Sequence, residues 1–347
     1  MTSRERIRKI IAREPVDRCG FWLGNPHADT LPIYYKYFGV SSLEDLHRTL
    51  GSDFRWLTPQ EVTSTYQHPE GYGIFDIWKY QASLGERGPL ADCETVNDIE
   101  RAYTWPSLEY LRFDESLNAL RNAGETYRAS GFWCPFFHDV ANLFGFEELL
   151  IKMHTHPELV DAVLERVCMF YLDANRLFYQ EAGDEMDAFF FGNDLGAQRG
   201  LMISPAQLER YIFPWIRRFA EQAHGSGYQV ILHSCGSVHD ILRGFVDAGI
   251  QCLHPLQARA CGMDAQTLAR DVKGKIAFFG GIDTQELLVH GTPDEVRADV
   301  RRVVALLGPH IIVSPSHEAL LPNVSPANVA AMAEEVLKHH SRHQDHV

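Results

Sequence analysis

A histidine and a cysteine separated by one residue follow a short apolar run near the middle of the chain. The run from Tyr228 to Leu232 is rich in β-branched and aliphatic residues, which predicts a strand buried on both faces. His233 and Cys235 come directly after it. Because residues i and i+2 of an extended chain point to the same side, the imidazole and the thiol can face one ion. The pair is therefore a candidate metal site, and a buried histidine beside a buried cysteine is the alternative.

Polar residues also follow four other predicted strands. Those strands are predicted at Met186–Phe191, Ile250–Leu253, Lys275–Phe279 and Ile311–Val313. The polar residues that follow them are Asn193 and Asp194, His254 and Gln257, Asp283, and His317 and Glu318. If these strands are parallel neighbours, their carboxyl ends lie on one rim, where an active site is expected.

Predicted strands alternate with predicted helices along most of the chain. Earlier strands are expected at 18–23 and 127–134, and one long helix is expected from His156 to about Ala182. Ser204, Thr292 and Ser325 each precede a proline, which is a typical helix start. This alternation favours a single (β/α)8 barrel domain over residues 1–347 rather than a doubly wound sheet.

Three segments lie outside this regular alternation. The first residues predict an amphipathic helical extension that ends before Pro15. Residues 61–95 are rich in Gly, Tyr and polar side chains and predict an inserted excursion, a hairpin or a lid, that carries Asp76 and Trp78. Residues 339–347 contain four histidines, and a frayed terminus is expected there.

Composition excludes several classes of partner. The net charge of −14 argues against nucleic acid and anionic membranes, and no run of about 18 apolar residues predicts a membrane span. No Gly-x-Gly-x-x-Gly or P-loop motif supports a nucleotide site. Seven scattered cysteines and the lack of an apolar signal-peptide core at the N-terminus favour the reducing cytoplasm. A small-molecule substrate is expected, and a homodimer is one of the oligomeric states left open.

His233, Cys235 and one ligand from a later strand would form a three-ligand zinc site. Such a site leaves the fourth position open and is typical of catalytic zinc. Zinc would bind a substrate thiol or water and lower its pKa. We expect His317 to be the third ligand, because it follows the last strand in the same rim position, with Glu318 and His254 as alternatives.

Other residues are candidates for catalysis or substrate binding. Besides His317, Asp194 and Asp283 are the catalytic candidates, although either could instead close a turn or cap a helix. His138 beside Asp139 could transfer protons or lie at the surface. The full set of predicted substrate-binding residues is Asn193, His138, His254, Gln257, His27 and Asp53.

Several motifs in the same order resemble the uroporphyrinogen decarboxylase superfamily. They are Asp194–Gly196, Ile203–Pro205, Leu232–Val238, Gly280–Gln285, Gly291–Val296, Pro315–His317 and Pro326–Asn328, with Ser3–Arg6 and Glu14–Arg18 near the start. The resemblance covers most of the chain and implies a (β/α)8 barrel, in agreement with the alternation of strands and helices.

Two branches of the superfamily imply different reactions. The decarboxylase branch removes carboxyl groups from a tetrapyrrole without a cofactor, and His317 and Asp53 would correspond to its late histidine and its catalytic aspartate. Its substrate is held by an arginine-rich motif, but residues 21–27 contain no arginine here. The chain is more similar to the second branch, the corrinoid-linked methyltransferases, at His233 and Cys235.

The methyltransferase branch passes a methyl group between a corrinoid protein and a thiol. In that branch His-x-Cys and a later cysteine bind zinc, and His317 takes the place of the later cysteine here. The resemblance thus implies zinc, a corrinoid carried by a partner protein, and methyl transfer to or from a small thiol or methylated compound. A non-enzymatic corrinoid- or tetrapyrrole-binding module is a further alternative.

Overall fold

Eight parallel strands form one sheet that curls into a nearly closed barrel. The structure is a computed structural model that describes residues 1–75 and 86–338. In chain order its strands are β1 Gly20–Phe21, β2 Asn25–Pro26, β3 Phe54–Trp56, β4 Tyr127–Ser130, β5 Ala188–Gly192, β6 Gln229–His233, β7 Cys252–His254, β8 Ala277–Ile282, β9 Ile311–Pro315 and β10 Ala319–Leu320. The sheet order is β1-β9-β8-β7-β6-β5-β4-β3, and β2 pairs with β10 beside it.

The two outer strands of the sheet meet through a few hydrogen bonds. The Asp53 backbone N–H donates to the Phe21 carbonyl at 2.8 Å, and the Leu23 N–H donates to the Ser52 hydroxyl at 3.4 Å. These bonds connect the start of β3 to β1 and complete the ring. The predicted (β/α)8 barrel, also called a TIM barrel, is therefore confirmed.

Helices surround the barrel in the expected alternation. Those of seven residues or more are α1 Ser3–Ala12, α2 Leu31–Phe38, α3 Leu43–Thr49, α4 Val96–Ala102, α5 Asp114–Asn122, α6 Phe136–Phe144, α7 Phe146–Thr155, α8 Pro157–Ala182, α9 Phe213–Gly225, α10 Ala265–Val272, α11 Pro293–Leu307 and α12 Pro326–Lys338. Shorter helical segments are Pro59–Glu61, Leu108–Tyr110, Gly183–Glu185, Pro205–Gln207, Leu208–Ile212, His239–Ile241, Leu242–Asp247 and Leu287–His290. None of the helices within residues 1–75 and 86–338 is long and apolar enough to cross a membrane.

Two apolar layers hold the barrel together. Side chains from alternate strand positions fill its interior, among them Phe54, Phe190 and Phe279. Ile7 and Ile10 of α1 belong to the same cluster, so the N-terminal helix packs across one end of the barrel. A larger cluster lies between the strands and the outer helices. The opposite end, where the strands finish, is left for polar side chains.

The barrel strand β3 and the two short strands β2 and β10 were not predicted from the sequence. Residues 28–60 contain the helices α2 and α3, but the barrel strand β3, which the sequence analysis does not predict, also lies there. Its three residues are too few to show a period, and Arg55 interrupts their apolar character. Within the predicted excursion 61–95, the described residues show no regular strand and one isolated bridge, Tyr66 with Leu111. Two predicted features lie outside the described residues. They are the part of the excursion at 76–85, with Asp76 and Trp78, and the frayed tail at 339–347.

Candidate metal centre

Three neighbouring strands bring the predicted site residues together. In the sheet register Gly192 is opposite His233, and His233 is opposite His254, so β5, β6 and β7 end side by side. The two residues that follow Gly192 are Asn193 and Asp194. Parallel strand ends thus place Asp194, His233 and His254 on one rim, as the sequence predicts.

Asp194, His233 and Cys235 form the first group of metal-binding atoms. The Nε2 atom of His233 lies 3.2 Å from Asp194 Oδ1 and 3.2 Å from Cys235 Sγ. The Cys235 backbone N–H donates to the same carboxylate oxygen at 2.8 Å. The three donor atoms lie within 4.8 Å of one another.

Two glycines allow the loops that carry this group to touch. Gly236 has a φ of +82°, and a Cβ there would lie 2.1 Å from the carbonyl oxygen of Gly196. A side chain at Gly236 would therefore push apart the loops that follow β5 and β6. The Ser234 hydroxyl joins the same loops by accepting a bond from the Leu195 N–H at 3.1 Å. The glycine after Cys235 thus helps to hold Asp194 beside the thiol.

A second group of donor atoms lies on the other side of the same imidazole. His233 Nδ1 is 3.0 Å from His254 Nδ1 and 3.7 Å from Glu318 Oε2. His233, His254 and Glu318 also satisfy the spacing for a metal ion. His254 is fully buried, and its Nε2 has no hydrogen-bond partner among the described residues. His233 is therefore shared by two alternative ligand sets.

The surrounding charges favour a positive ion at His233. Burial lowers the pKa of His233, but the charge of Glu318 and the interactions with Cys235 and Asp194 outweigh this effect and raise the pKa well above the usual value. Burial and the neighbouring charge of His233 lower the pKa of His254 well below its usual value. The same acidic surroundings that favour a proton on His233 would favour a metal dication in its place.

The Asp194, His233 and Cys235 group fits zinc. Oxygen, nitrogen and sulfur are all ordinary zinc ligands, and tetrahedral zinc with bonds of about 2.0–2.3 Å places its ligand atoms roughly 3.3–3.8 Å apart. The two separations of 3.2 Å from His233 Nε2 require only small shifts, and all three ligand atoms lie within 4.8 Å of one another. The second group lacks a thiol. Asp194, predicted as a catalytic residue, is thus also a candidate ligand.

His317 lies in a neighbouring cavity rather than in either ligand group. Its Nδ1 accepts a hydrogen bond from the Ala319 N–H at 3.1 Å and lies 3.7 Å from Glu318 Oε2. With Gln257 and Asp283 it lines a cavity of about 510 Å³. Metal binding by His317 therefore remains a prediction, whereas Glu318, an alternative in the sequence analysis, lies closer to His233.

Asp283 and Gln257 have structural partners in the same region. The carboxylate of Asp283 accepts bonds from the Gln285 N–H at 2.9 Å and the Glu286 N–H at 3.3 Å, so it caps the turn after β8. Arg259 lies 3.7 Å from it. Gln257 accepts a bond from the Gly236 N–H at 2.8 Å and so supports the Cys235 loop. Both still border the cavity, where a substrate could reach them.

Asn193 and His138 lie on the other side of the cluster. Asn193 is buried, accepts a bond from the Phe137 N–H at 2.8 Å and donates to the Cys134 carbonyl at 3.0 Å, so it fixes the start of α6. His138 is half-buried, and burial lowers its pKa. Its charge interacts with those of Asp194 and His233. His138 is therefore the better placed of the two to meet a substrate.

His27 and Asp53 are not part of the cluster. His27 is exposed on the rim, where its Nδ1 accepts a bond from the Asp29 N–H at 3.2 Å. Asp53 precedes β3, so it lies at the amino end of the barrel, opposite the cluster. It is fully buried between Arg6 and Arg18, each 2.8 Å away. This position argues for a structural role and against the predicted contact with substrate.

A second cavity contains residues that the sequence did not single out. It measures about 480 Å³, and its walls include Trp56, Glu61 and Tyr171. Trp133 separates it from the cluster, since the indole also lies 5.1 Å from the His233 ring. Trp56 was missed because β3 was missed, and Glu61 carries no motif that could identify it.

Comparisons with known proteins agree with this architecture. No curated protein matches the sequence. Among solved structures, a methyltransferase from Methanosarcina mazei matches with a TM-score of 0.70 and 16% sequence identity, over 97% of this chain and 98% of that chain. At this identity the likeness shows a shared fold. The family model for uroporphyrinogen decarboxylase (URO-D) matches residues 105–339, which is more than half of the chain. The chain therefore belongs to the uroporphyrinogen decarboxylase family.

Proposed function

We propose that the protein is a zinc-dependent methyltransferase. It would move a methyl group between a corrinoid carried by a partner protein and a small thiol or methylated compound. The observation that carries this proposal is the Asp194, His233 and Cys235 group at the carboxyl ends of the barrel strands. The fold shared with a methyltransferase supports it. A cytoplasmic location and a homodimer are further parts of the proposal.

The charges of the ligand set suit a thiol substrate. Zinc bound there would hold the substrate thiol as a thiolate. Asp194 and Cys235 bring two negative charges, whereas a set of His233, His317 and Cys235 would bring one. The carboxylate thus replaces the charge that a second cysteine would supply. His254 lies 3.0 Å from the other nitrogen of His233 and can orient its ring.

The net reaction balances without an oxidant or a reductant. The substrate thiol would lose its proton to a protein base, which would pass it to solvent, and a new sulfur–carbon bond would form. The corrinoid on the partner protein would supply the methyl group and would keep the electron pair of the broken cobalt–carbon bond. The reverse direction would take a methyl group from a methylated compound. His138, close to the cluster and of lowered pKa, can accept the thiol proton.

Metal-free decarboxylation of uroporphyrinogen is the second candidate. Family membership favours it, as does His317 on the wall of the 510 Å³ cavity. Asp53, matched to the decarboxylase aspartate by resemblance, lies at the opposite end of the barrel. Arg259 is the one arginine among the described residues of that cavity, and it lies near Asp283. A polycarboxylate substrate would find few guanidinium partners there.

A methylcobalamin assay tests the proposal. Zinc-loaded protein, methylcobalamin and a panel of small thiols are incubated without oxygen, and demethylation is followed by absorbance. We expect thiol-dependent demethylation that falls at least a hundredfold in Cys235→Ala. Cys261→Ala is the matched control, because Cys261 is also a free cysteine but is exposed. Conversion of uroporphyrinogen to coproporphyrinogen by an enzyme that leaves methylcobalamin intact would contradict the proposal.

A further inference from the structure

The 480 Å³ cavity beside the cluster combines aromatic walls with acidic groups. It opens at the carboxyl ends of β3 and β4, next to the metal centre but separate from it. The lining residues that matter here are Trp56, Glu61, Tyr66, Trp133, Asp139 and Tyr171. Its volume is in the range of small-molecule sites.

Two indoles form one wall of this cavity. The Trp56 and Trp133 rings lie 4.9 Å apart and are tilted by 52°. Trp133 also contacts the His233 ring at 5.1 Å, so a ligand against this wall is one side chain away from the cluster. Tyr171 closes the buried end. Several aromatic faces around one space attract cations through the ring quadrupoles.

Two carboxyl groups face the same space. Asp139 is buried, and the Tyr171 hydroxyl donates to its Oδ2 atom at 2.7 Å. Glu61 lies on the exposed side of the cavity. Burial raises the pKa of Asp139 to about 7, and the partial desolvation of Glu61 by the cavity wall raises its pKa as well, although its side chain reaches solvent. None of the described residues that line the cavity is Lys, Arg or His. Because the described lining residues offer no cation, negative charge on these carboxyl groups would be stabilised by a cationic ligand and would repel an anionic one.

We propose that this cavity binds a small organic ammonium ion. The aromatic wall would contact the apolar substituents of the nitrogen, and Glu61 and Asp139 would balance its charge. We further assign the cavity to the ammonium group of the substrate, and this assignment rests on the proposed function. The binding of the cation does not rest on it.

A charged ligand and its uncharged isostere provide the test. Choline and 3,3-dimethylbutan-1-ol have nearly the same shape, and only choline carries a charge. Binding to the full chain is measured by calorimetry and by quenching of tryptophan fluorescence, without added zinc or corrinoid. We expect choline to bind at least tenfold more tightly than the alcohol, since one or two cation–π contacts and a carboxylate are worth about that factor.

Variants separate this site from a general effect of charge. Glu61→Gln should weaken choline binding about tenfold. Glu165→Gln, which removes the same charge from an exposed position on α8, should leave binding unchanged. Equal affinity for choline and the alcohol, or binding of neither at tens of millimolar, would overturn the inference. A protein that binds choline but transfers no methyl group would support this inference and contradict the proposed function.

Discussion

Both ring nitrogens of His233 have acidic or metal-binding neighbours. The nitrogen that binds the metal therefore determines which residues are the other ligands. Asp194 and Cys235 face Nε2, whereas His254 and Glu318 face Nδ1. Zinc favours the set with a thiolate over one that has only nitrogen and oxygen ligands. We therefore assign the metal to the Nε2 side.

Substitutions of the two carboxylates test this assignment. Asp194→Asn should weaken zinc binding at least tenfold, because it removes a charged ligand. Glu318→Gln should change zinc binding less than threefold. Affinities are measured by competition with a coloured chelator. A larger loss in Glu318→Gln than in Asp194→Asn would place the metal on the Nδ1 side.

Asp139 should make the free energy of unfolding depend on pH. Burial raises its pKa in the folded protein to about 7, whereas an unfolded aspartate titrates near pH 4. The folded state therefore binds more protons between these values, and the free energy of unfolding falls as pH rises through this range.

The variant Asp139→Asn tests this dependence. It can still accept the Tyr171 hydrogen bond, but it has no proton to lose. Relative to the wild type, its stability should rise by roughly 3 kcal/mol between pH 5 and pH 8. Urea unfolding at the two pH values measures this change. A constant difference between variant and wild type would show that Asp139 does not titrate in this range.

At the scale of elements, the end of β5 depends on Gly192. A Cβ at this position would lie 2.1 Å from Cζ2 of Trp133. Gly192→Ala would therefore displace the indole that separates the cluster from the 480 Å³ cavity. We expect a loss of about 1–3 kcal/mol in the free energy of unfolding.

Gly200→Ala is the control for this prediction. A Cβ at Gly200 would meet no atom within 4 Å, and its backbone needs no positive φ. Thermal unfolding of both variants makes the comparison. Equal stabilities would mean that Trp133 moves at no cost and is not held by the glycine.

The long elements could be predicted from the sequence because their signals are local. The helix α8 matches its predicted range, and Ser204 and Thr292 cap the helices that they were expected to start. The strands β5 to β9 lie close to their predicted positions. β3 could not be predicted, because a three-residue strand has no periodicity and is defined by its neighbours.

The candidate site was predictable in part for the same reason. His233, Cys235 and Asp194 stand at strand ends, and the parallel sheet brings such positions together. The distance from His233 to Glu318 or His317 depends on how the loop after β9 folds back to pair β10 with β2. No local sequence pattern predicts that β10 pairs with β2, so these distances could not be predicted. The second cavity depends on β3 and was missed with it.

At the scale of the whole molecule, Asp53 connects α1 to the barrel. Arg6 of α1 and Arg18 before β1 both bind it, and it accepts a bond from the Phe21 N–H at 3.0 Å. Asp53→Ala would leave the buried guanidinium group of Arg6 and the half-buried one of Arg18 with fewer partners. We expect the free energy of unfolding to fall by roughly 3–5 kcal/mol.

The role of Asp53 can be separated from catalysis. Because the residue lies at the opposite end of the barrel, kcat/KM for methyl transfer should remain within about twofold of the wild type, at temperatures where the variant is folded. Urea unfolding and initial rates provide the two measurements. A variant of normal stability that has lost activity would indicate that Asp53 acts in catalysis, as the resemblance to the decarboxylase implies.

Zinc content tests the central claim most directly. The wild type, His233→Ala and Cys235→Ala are purified with zinc present, and weakly bound metal is then removed. The zinc content of each protein is measured by mass spectrometry. The tail 339–347 is removed from all three proteins, because its histidines could bind metal themselves. We predict about one zinc per chain in the wild type and less than a tenth of that in both variants. An active wild type without zinc, or equal zinc in all three proteins, would contradict a metal centre at His233 and Cys235.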